Sequence, residues 1–199
     1  MEHKVLFREL YKGRIENTTE FYAVKEIAFE LYRFLNQPEI VKKILNTHKV
    51  NAKSGEIQAI LLQKALELGF DSERKGLFQK YLIRPDYYKK MSESSGIILE
   101  VERGKTLPNN MDMLDIWKCH ICKEANYLFL IVPQYRQTKK GTQADTFNKV
   151  VGRISSFFQY RQTKKGTQTD TFNKVVDRIS SFFQEDNYIN VDGVFVFGY

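Results

Sequence analysis

Residues 134–158, QYRQTKKGTQADTFNKVVGRISSFF, and 159–183, QYRQTKKGTQTDTFNKVVDRISSFF, are one 25-residue unit written twice, and no other feature limits the fold so tightly. The copies differ only at Ala144/Thr169 and Gly152/Asp177. Solenoid repeats diverge at their surfaces and need about three units to bury a core. Two near-identical units therefore read as a tandem duplication inside one domain's topology. Each copy offers an acid, Asp145 or Asp170, followed by apolar residues at spacings of three and four, the pattern of an amphipathic helix. A domain has one slot for such a helix. One copy is expected to fill it and the other to be surplus.

The duplication also corrects the charge. The chain of 199 residues carries a formal net charge of +7, which points to an anionic partner. The first copy alone holds five basic residues and one acid, so the chain without it would stand at only +3. Mild basicity excludes little. Hydrophobic residues at 42% and aromatics at 14% call for a globular chain. The longest apolar run, Tyr127 to Pro133, is too short for a membrane span, and Met1-Glu2-His3-Lys4 lacks the apolar core of a signal peptide. Two cysteines build no disulfide framework, so a cytoplasmic setting is expected.

Periodicity predicts helices over Thr19–Leu35, with Asn17, Thr18 and Thr19 as cap candidates, from Pro38 through Leu45, and from Ser54 to Leu68. After Gly69 the pattern changes. Gly76–Asp86 and Ile97–Arg103 read as the arms of a hairpin about a Ser92–Gly96 turn, Met111–Ala125 as a helix, and Asn126–Pro133 and Gly193–Tyr199 as buried strands. The class is α/β, a mixed sheet flanked by helices. Residues 1–50 form an N-terminal helical segment, suited to DNA binding or to a homodimer, and residues 51–199 form the core containing the duplication.

Acids interrupt one of these strands. Gly96-Ile97-Ile98-Leu99-Glu100-Val101-Glu102 places Glu100 and Glu102 on one face of an apolar run, and Asp86 precedes Glu100 by a gap of thirteen residues. A buried carboxylate costs several kcal/mol unless something pairs with it. If the hairpin brings Asp86 level with Glu100, three acids converge, and a Mg²⁺ ion (or Mn²⁺) would keep them ionised. Exposed edge acids paired with Arg84, Arg103 or Lys105 satisfy the same spacing.

Pro85-Asp86 followed by Ile97-Ile98-Leu99-Glu100-Val101-Glu102 on a predicted hairpin resembles the PD-(D/E)xK nucleases, the restriction-endonuclease-like superfamily, over roughly residues 54–133. The resemblance implies a restriction-endonuclease-like fold and a Mg²⁺-dependent phosphodiesterase acting on DNA. It implies Asp86, Glu100 and the Val101 carbonyl as metal ligands, with Glu56 on the leading helix as a further one. Glu102 stands where the superfamily usually has lysine, as general base or ligand, and Lys105 offers the missing positive charge. The alternative is a non-catalytic nucleic-acid-binding or interaction protein that keeps the fold.

Phosphate contacts are expected from Lys89 and Lys90 beside Tyr87 and Tyr88, from Arg136, Lys139 and Lys140, and from Lys164 and Lys165 in the second copy. Lys118 and Lys123 flank the site-side helix in a similar way. A solvated loop explains the duplicated bases equally well. Cys119-His120-Ile121-Cys122 lacks a second Cys/His pair, since the other histidines are His3 and His48, so it reads as helix packing and not as zinc.

Overall fold

The computed structural model describes residues 4–48, 54–72, 83–103, 106–137, 143–159 and 190–199. Strands β1 (Leu6–Tyr11), β2 (Asp71–Ser72), β3 (Tyr87–Ser92), β4 (Ser95–Val101), β5 (Tyr127–Val132) and β8 (Gly193–Gly198) form one sheet in the order β1-β8-β5-β4-β3-β2. Strands β4, β5 and β8 are mutually parallel, and both edges are antiparallel. A separate two-stranded ribbon, β6 (Tyr135–Gln137) with β7 (Gln143–Asp145), precedes the helix of the first repeat copy.

Helices cover both faces. On one lie α1 (Thr19–Leu35), α2 (Pro38–Thr47) and α3 (Ser54–Glu67); on the other lie α4 (Met111–Ile121) and α5 (Thr146–Gln159). α1 starts where the sequence signals it: the Thr18 hydroxyl accepts a hydrogen bond from the Phe21 amide at 3.2 Å. Its buried stripe, Phe21, Val24, Ala28, Leu31 and Leu35, has helical spacing. β5, Tyr-Leu-Phe-Leu-Ile-Val, is buried on both sides, as a central parallel strand must be.

β4 divides its residues between the layers by simple alternation. Ile97, Leu99 and Val101 join the core under α1–α3, and Ile98 joins the core under α4 and α5. Glu100 shares the Ile98 face and so is delivered against α4.

The first repeat copy fills the helix slot. Asp145 caps α5 by accepting from the Asn148 amide at 3.0 Å, and Phe147, Val150 and Ile154 are buried under the sheet. Gly198 of β8 makes this docking feasible, because a Cβ there would lie 2.5 Å from the Phe147 ring. The helix expected at 170–183 lies outside the described residues, as does most of the strand expected at 76–86.

Besides β2 and the β6–β7 ribbon, which were not expected, three elements differ from expectation. The N-terminal segment is not purely helical: Leu6–Tyr11 is a strand that pairs along its whole length with β8. Of the expected first hairpin arm, the described residues 83–86 are not strand and β3 runs from Tyr87 to Ser92; Pro85 has no amide hydrogen to give a ladder. α4 ends at Ile121 and not Ala125; Cys122 leaves helical geometry, and its amide closes the last turn on Lys118 O at 3.0 Å.

Candidate functional site: a buried carboxylate cluster

Tyr87 pairs with Leu99, so Asp86 falls opposite Glu100 at the end of the hairpin. Two hydrogen bonds lock this register. The Val101 amide donates to Asp86 Oδ2 at 2.8 Å, and the Asp86 amide donates to Glu100 Oε2 at 3.4 Å. Val101 thus meets Asp86 through its amide.

Glu100 is only 2% exposed. Its other oxygen, Oε1, accepts from Lys118 Nζ of α4 at 2.7 Å. The same ammonium lies 2.9 Å from Oδ1 of Asp115, one helical turn earlier. Asp115 is fully buried, and neither of its carboxylate oxygens has a well-aligned hydrogen bond. The contact with Lys118 is therefore an ion pair more than a directed bond. Two buried carboxylates share one cation, with Asp86 beside them.

The electrostatics follow from this count. Burial pushes the Glu100 carboxyl well above the usual carboxylate range, Asp115 and Asp86 push it further, and Lys118 opposes them. Burial raises Asp115 from 3.8 to about 6 against the opposing pull of Lys118. Burial and the Asp115 charge raise Glu102 to about 8, close to neutral pH. Lys118 is raised as well, which for a base favours the charged form: burial lowers it, but Glu100 and Asp115 more than offset this and hold it charged. Clustered acids that titrate near neutrality are a physical signature of a functional site, though structural ion pairs produce it too.

The expected site residues divide. Asp86, Glu100 and Val101 come together, and Glu102 is the first residue beyond β4, with its amide bonded to Ile131 O at 2.8 Å. Glu56 does not join them: it is exposed on the first turn of α3, which packs on the opposite face of the sheet from Asp115 and Lys118. Lys89 is half-buried in β3, and Lys90 is exposed and paired with Glu93 at 2.6 Å. Arg136 lies in β6, while Lys105, Lys139, Lys140, Lys164 and Lys165 fall outside the described residues. Cys119 and Cys122 are buried and unbridged, and the Cys119 thiol donates to Tyr127 O at 3.7 Å, as packing residues would.

Sequence reasoning missed Asp115. The signal was present: Asp112, Asp115, Ile116 and Cys119 occupy the buried stripe of α4. An acid at a core-facing helical position is as anomalous as one inside an apolar strand. Asp112 is the second such case, 3.4 Å from Arg153 Nε of α5, and serves to tie the two helices.

Among the described residues, no three His, Cys, Asp or Glu side chains are grouped so as to hold a metal ion. Mg²⁺, however, is commonly held by one or two carboxylates together with waters and substrate phosphates. Glu100 and Asp115 supply two hard oxygen donors, already converging on one cationic nitrogen, with Asp115 Oδ1 ion-paired to it at 2.9 Å. Carboxylate oxygens are the hard donors that Mg²⁺ takes. No helix among the described residues is long and apolar enough to cross a membrane. Comparison with known proteins finds no matching family model, curated protein or solved structure.

Proposed function

We infer that the chain is a Mg²⁺-dependent phosphodiesterase of endonuclease type acting on DNA, in the manner of the PD-(D/E)xK nucleases it resembles. The observation that carries the reading is the sharing of one cation by buried Glu100 and Asp115, with Asp86 registered beside Glu100 at the carboxyl end of β4. Two buried acids on one base leave an excess of negative charge that costs several kcal/mol unless a proton or a further cation compensates it.

In this reading Glu100 and Asp115 hold the metal, with Asp86 as a third acid. A bound Mg²⁺ supplies charge neutralisation at the phosphate and lowers the barrier to attack by water. Glu102 handles the proton, taking one from the attacking water or returning it to the leaving oxygen. The backbone amide of Val101 holds Asp86 in orientation. Lys89, Lys90 and the bases of the duplicated loops, Arg136, Lys139, Lys140, Lys164 and Lys165, are the proposed contacts to the DNA backbone.

A plasmid-nicking assay with Mg²⁺ or Mn²⁺ tests the reading. Asp86→Ala and Glu100→Gln should each abolish cleavage while circular dichroism shows the fold retained. Unchanged cleavage in both variants would reject the assignment.

One observation favours a second reading, a non-catalytic nucleic-acid-binding or interaction protein. Asp86 is committed to the Val101 amide and Lys118 partly neutralises Glu100, so the cluster holds together through the chain's own groups. DNA binding with no metal uptake by calorimetry and no nicking would select it.

A further inference from the structure

Lys118 is placed where it must interfere with any metal bound by the two acids on either side of it. Its ammonium lies 2.7 Å from Glu100 Oε1 and 2.9 Å from Asp115 Oδ1. A Mg²⁺ bridging the same oxygens would sit about 2.0–2.1 Å from each. The two cations would then compete for the same two oxygens, and like charges repel strongly where little water screens them. Lys118 can leave. Its side chain is 23% exposed against 3% for Glu100 and none for Asp115, so of the three it alone reaches water to any extent. The carboxylates are fixed by strand and helix, whereas the ammonium is on a long flexible stem.

We propose that Lys118 is a built-in competitor for the divalent cation: its ammonium occupies the Glu100–Asp115 seat, and metal binds only by displacing it. The proposal rests on the metal reading of the site. It assigns Lys118 a regulatory place in that site, setting how much free Mg²⁺ or Mn²⁺ the protein needs before the seat fills. The energy that holds the ammonium between the acids is subtracted from the metal's apparent affinity, as with any ligand that must first displace another.

The test compares the full chain with Lys118→Met, which keeps most of the stem and removes the charge, and with Lys118→Arg, which keeps the charge. Mn²⁺ and Mg²⁺ are titrated by calorimetry into chelator-treated protein, and unfolding midpoints are recorded with and without metal. Lys118→Met is expected to bind metal at least tenfold more tightly than the wild type, or to show binding where the wild type shows none. It should melt lower than the wild type in chelator and gain more on adding metal. Lys118→Arg should stay within about threefold of the wild-type affinity.

Wild-type metal binding that is unchanged or weakened in Lys118→Met would overturn the competition and leave the metal reading standing. An equal gain in Lys118→Arg would also overturn it, since charge would not be the cause. Absence of binding in all three proteins would overturn the metal reading and this proposal together. Should Lys118→Met fail to fold in chelator, refolding in the presence of Mn²⁺ alone supports the proposal, and failure in both conditions overturns it.

Discussion

Asp115→Asn isolates the electrostatic cost of the acid cluster. The substitution preserves shape and removes one fully buried charge. Asp115 has its carboxyl raised from 3.8 to about 6, chiefly by burial. A raised carboxyl binds its proton more tightly in the folded chain than in the unfolded one. The stability this gives is fully present below the unfolded value of 3.8 and is lost as pH rises through about 6. At about 1.4 kcal/mol per pH decade the loss is on the order of 3 kcal/mol. Asparagine does not titrate, so the variant lacks this loss. It also relieves Glu100, whose carboxyl the Asp115 charge helps to raise. The stability of Asp115→Asn minus that of the wild type should therefore increase by on the order of 3 kcal/mol between pH 4 and pH 8. The comparison of two pH values cancels whatever packing or hydrogen-bonding offset the amide introduces. Urea unfolding in chelator at both pH values measures it. A difference that stays flat, or that falls with pH, would show that the Lys118 ion pair fully compensates Asp115 and that the cluster carries no electrostatic strain.

Gly96→Ala should cost about 2–3 kcal/mol in urea unfolding, since overpacking of a dense core costs that much. Its Cβ would stand 2.6 Å from the Glu124 carbonyl and 2.5 Å from the Tyr88 ring, which a hydrogen bond to that same carbonyl holds in place. Phe147→Ala should cost about 3–5 kcal/mol, the range for removing a buried phenylalanine, because this ring seats α5 against Gly198. Excision of residues 159–183 joins Phe158 to Gln184 and leaves intact Phe147, Val150 and Ile154, the apolar α5 residues described as buried. The unfolding midpoint should shift by less than about 4 °C, which corresponds to roughly 1 kcal/mol for a chain of this size. A larger fall would mean that the second copy contributes packing of its own.

What the sequence made legible is what short-range chemistry decides. Thr18, Pro38 and Asp145 announce three helix starts by capping and ring geometry, and each helix begins within a residue of its signal. β5 and β8 announce themselves by continuous apolar runs that only a covered strand tolerates. β1 was not legible. Leu6-Phe7-Arg8-Glu9-Leu10-Tyr11 is half-exposed and carries two charges, and it becomes a strand because β8, almost two hundred residues away, offers it an open edge. Asp115 and Lys118 were hidden by distance as well: α4 brings them to Glu100 only once the β4–α4–β5 crossover has folded.

The site's central pairing depends on a feature smaller than any of these. The hairpin turns at Glu93-Ser94, with Ser92 opposite Ser95. An unbroken ladder from that turn would set Asp86 opposite Val101, on the face occupied by α1–α3, and Asp86 would turn away from Glu100. The ladder is not unbroken: its register shifts between Lys90 and Ser92, so that Lys90 meets Gly96 and Tyr87 meets Leu99. One extra residue, Met91, moves everything before it by one position, and in a strand one position is one face. Asp86 thereby comes level with Glu100 and with the α4 side of the sheet, where Asp115 and Lys118 lie. No propensity or spacing rule places a bulge at Met91. The thirteen-residue interval between Asp86 and Glu100 acquires its meaning from that bulge, and the carboxylate cluster is a consequence of hairpin geometry before it is a consequence of any motif.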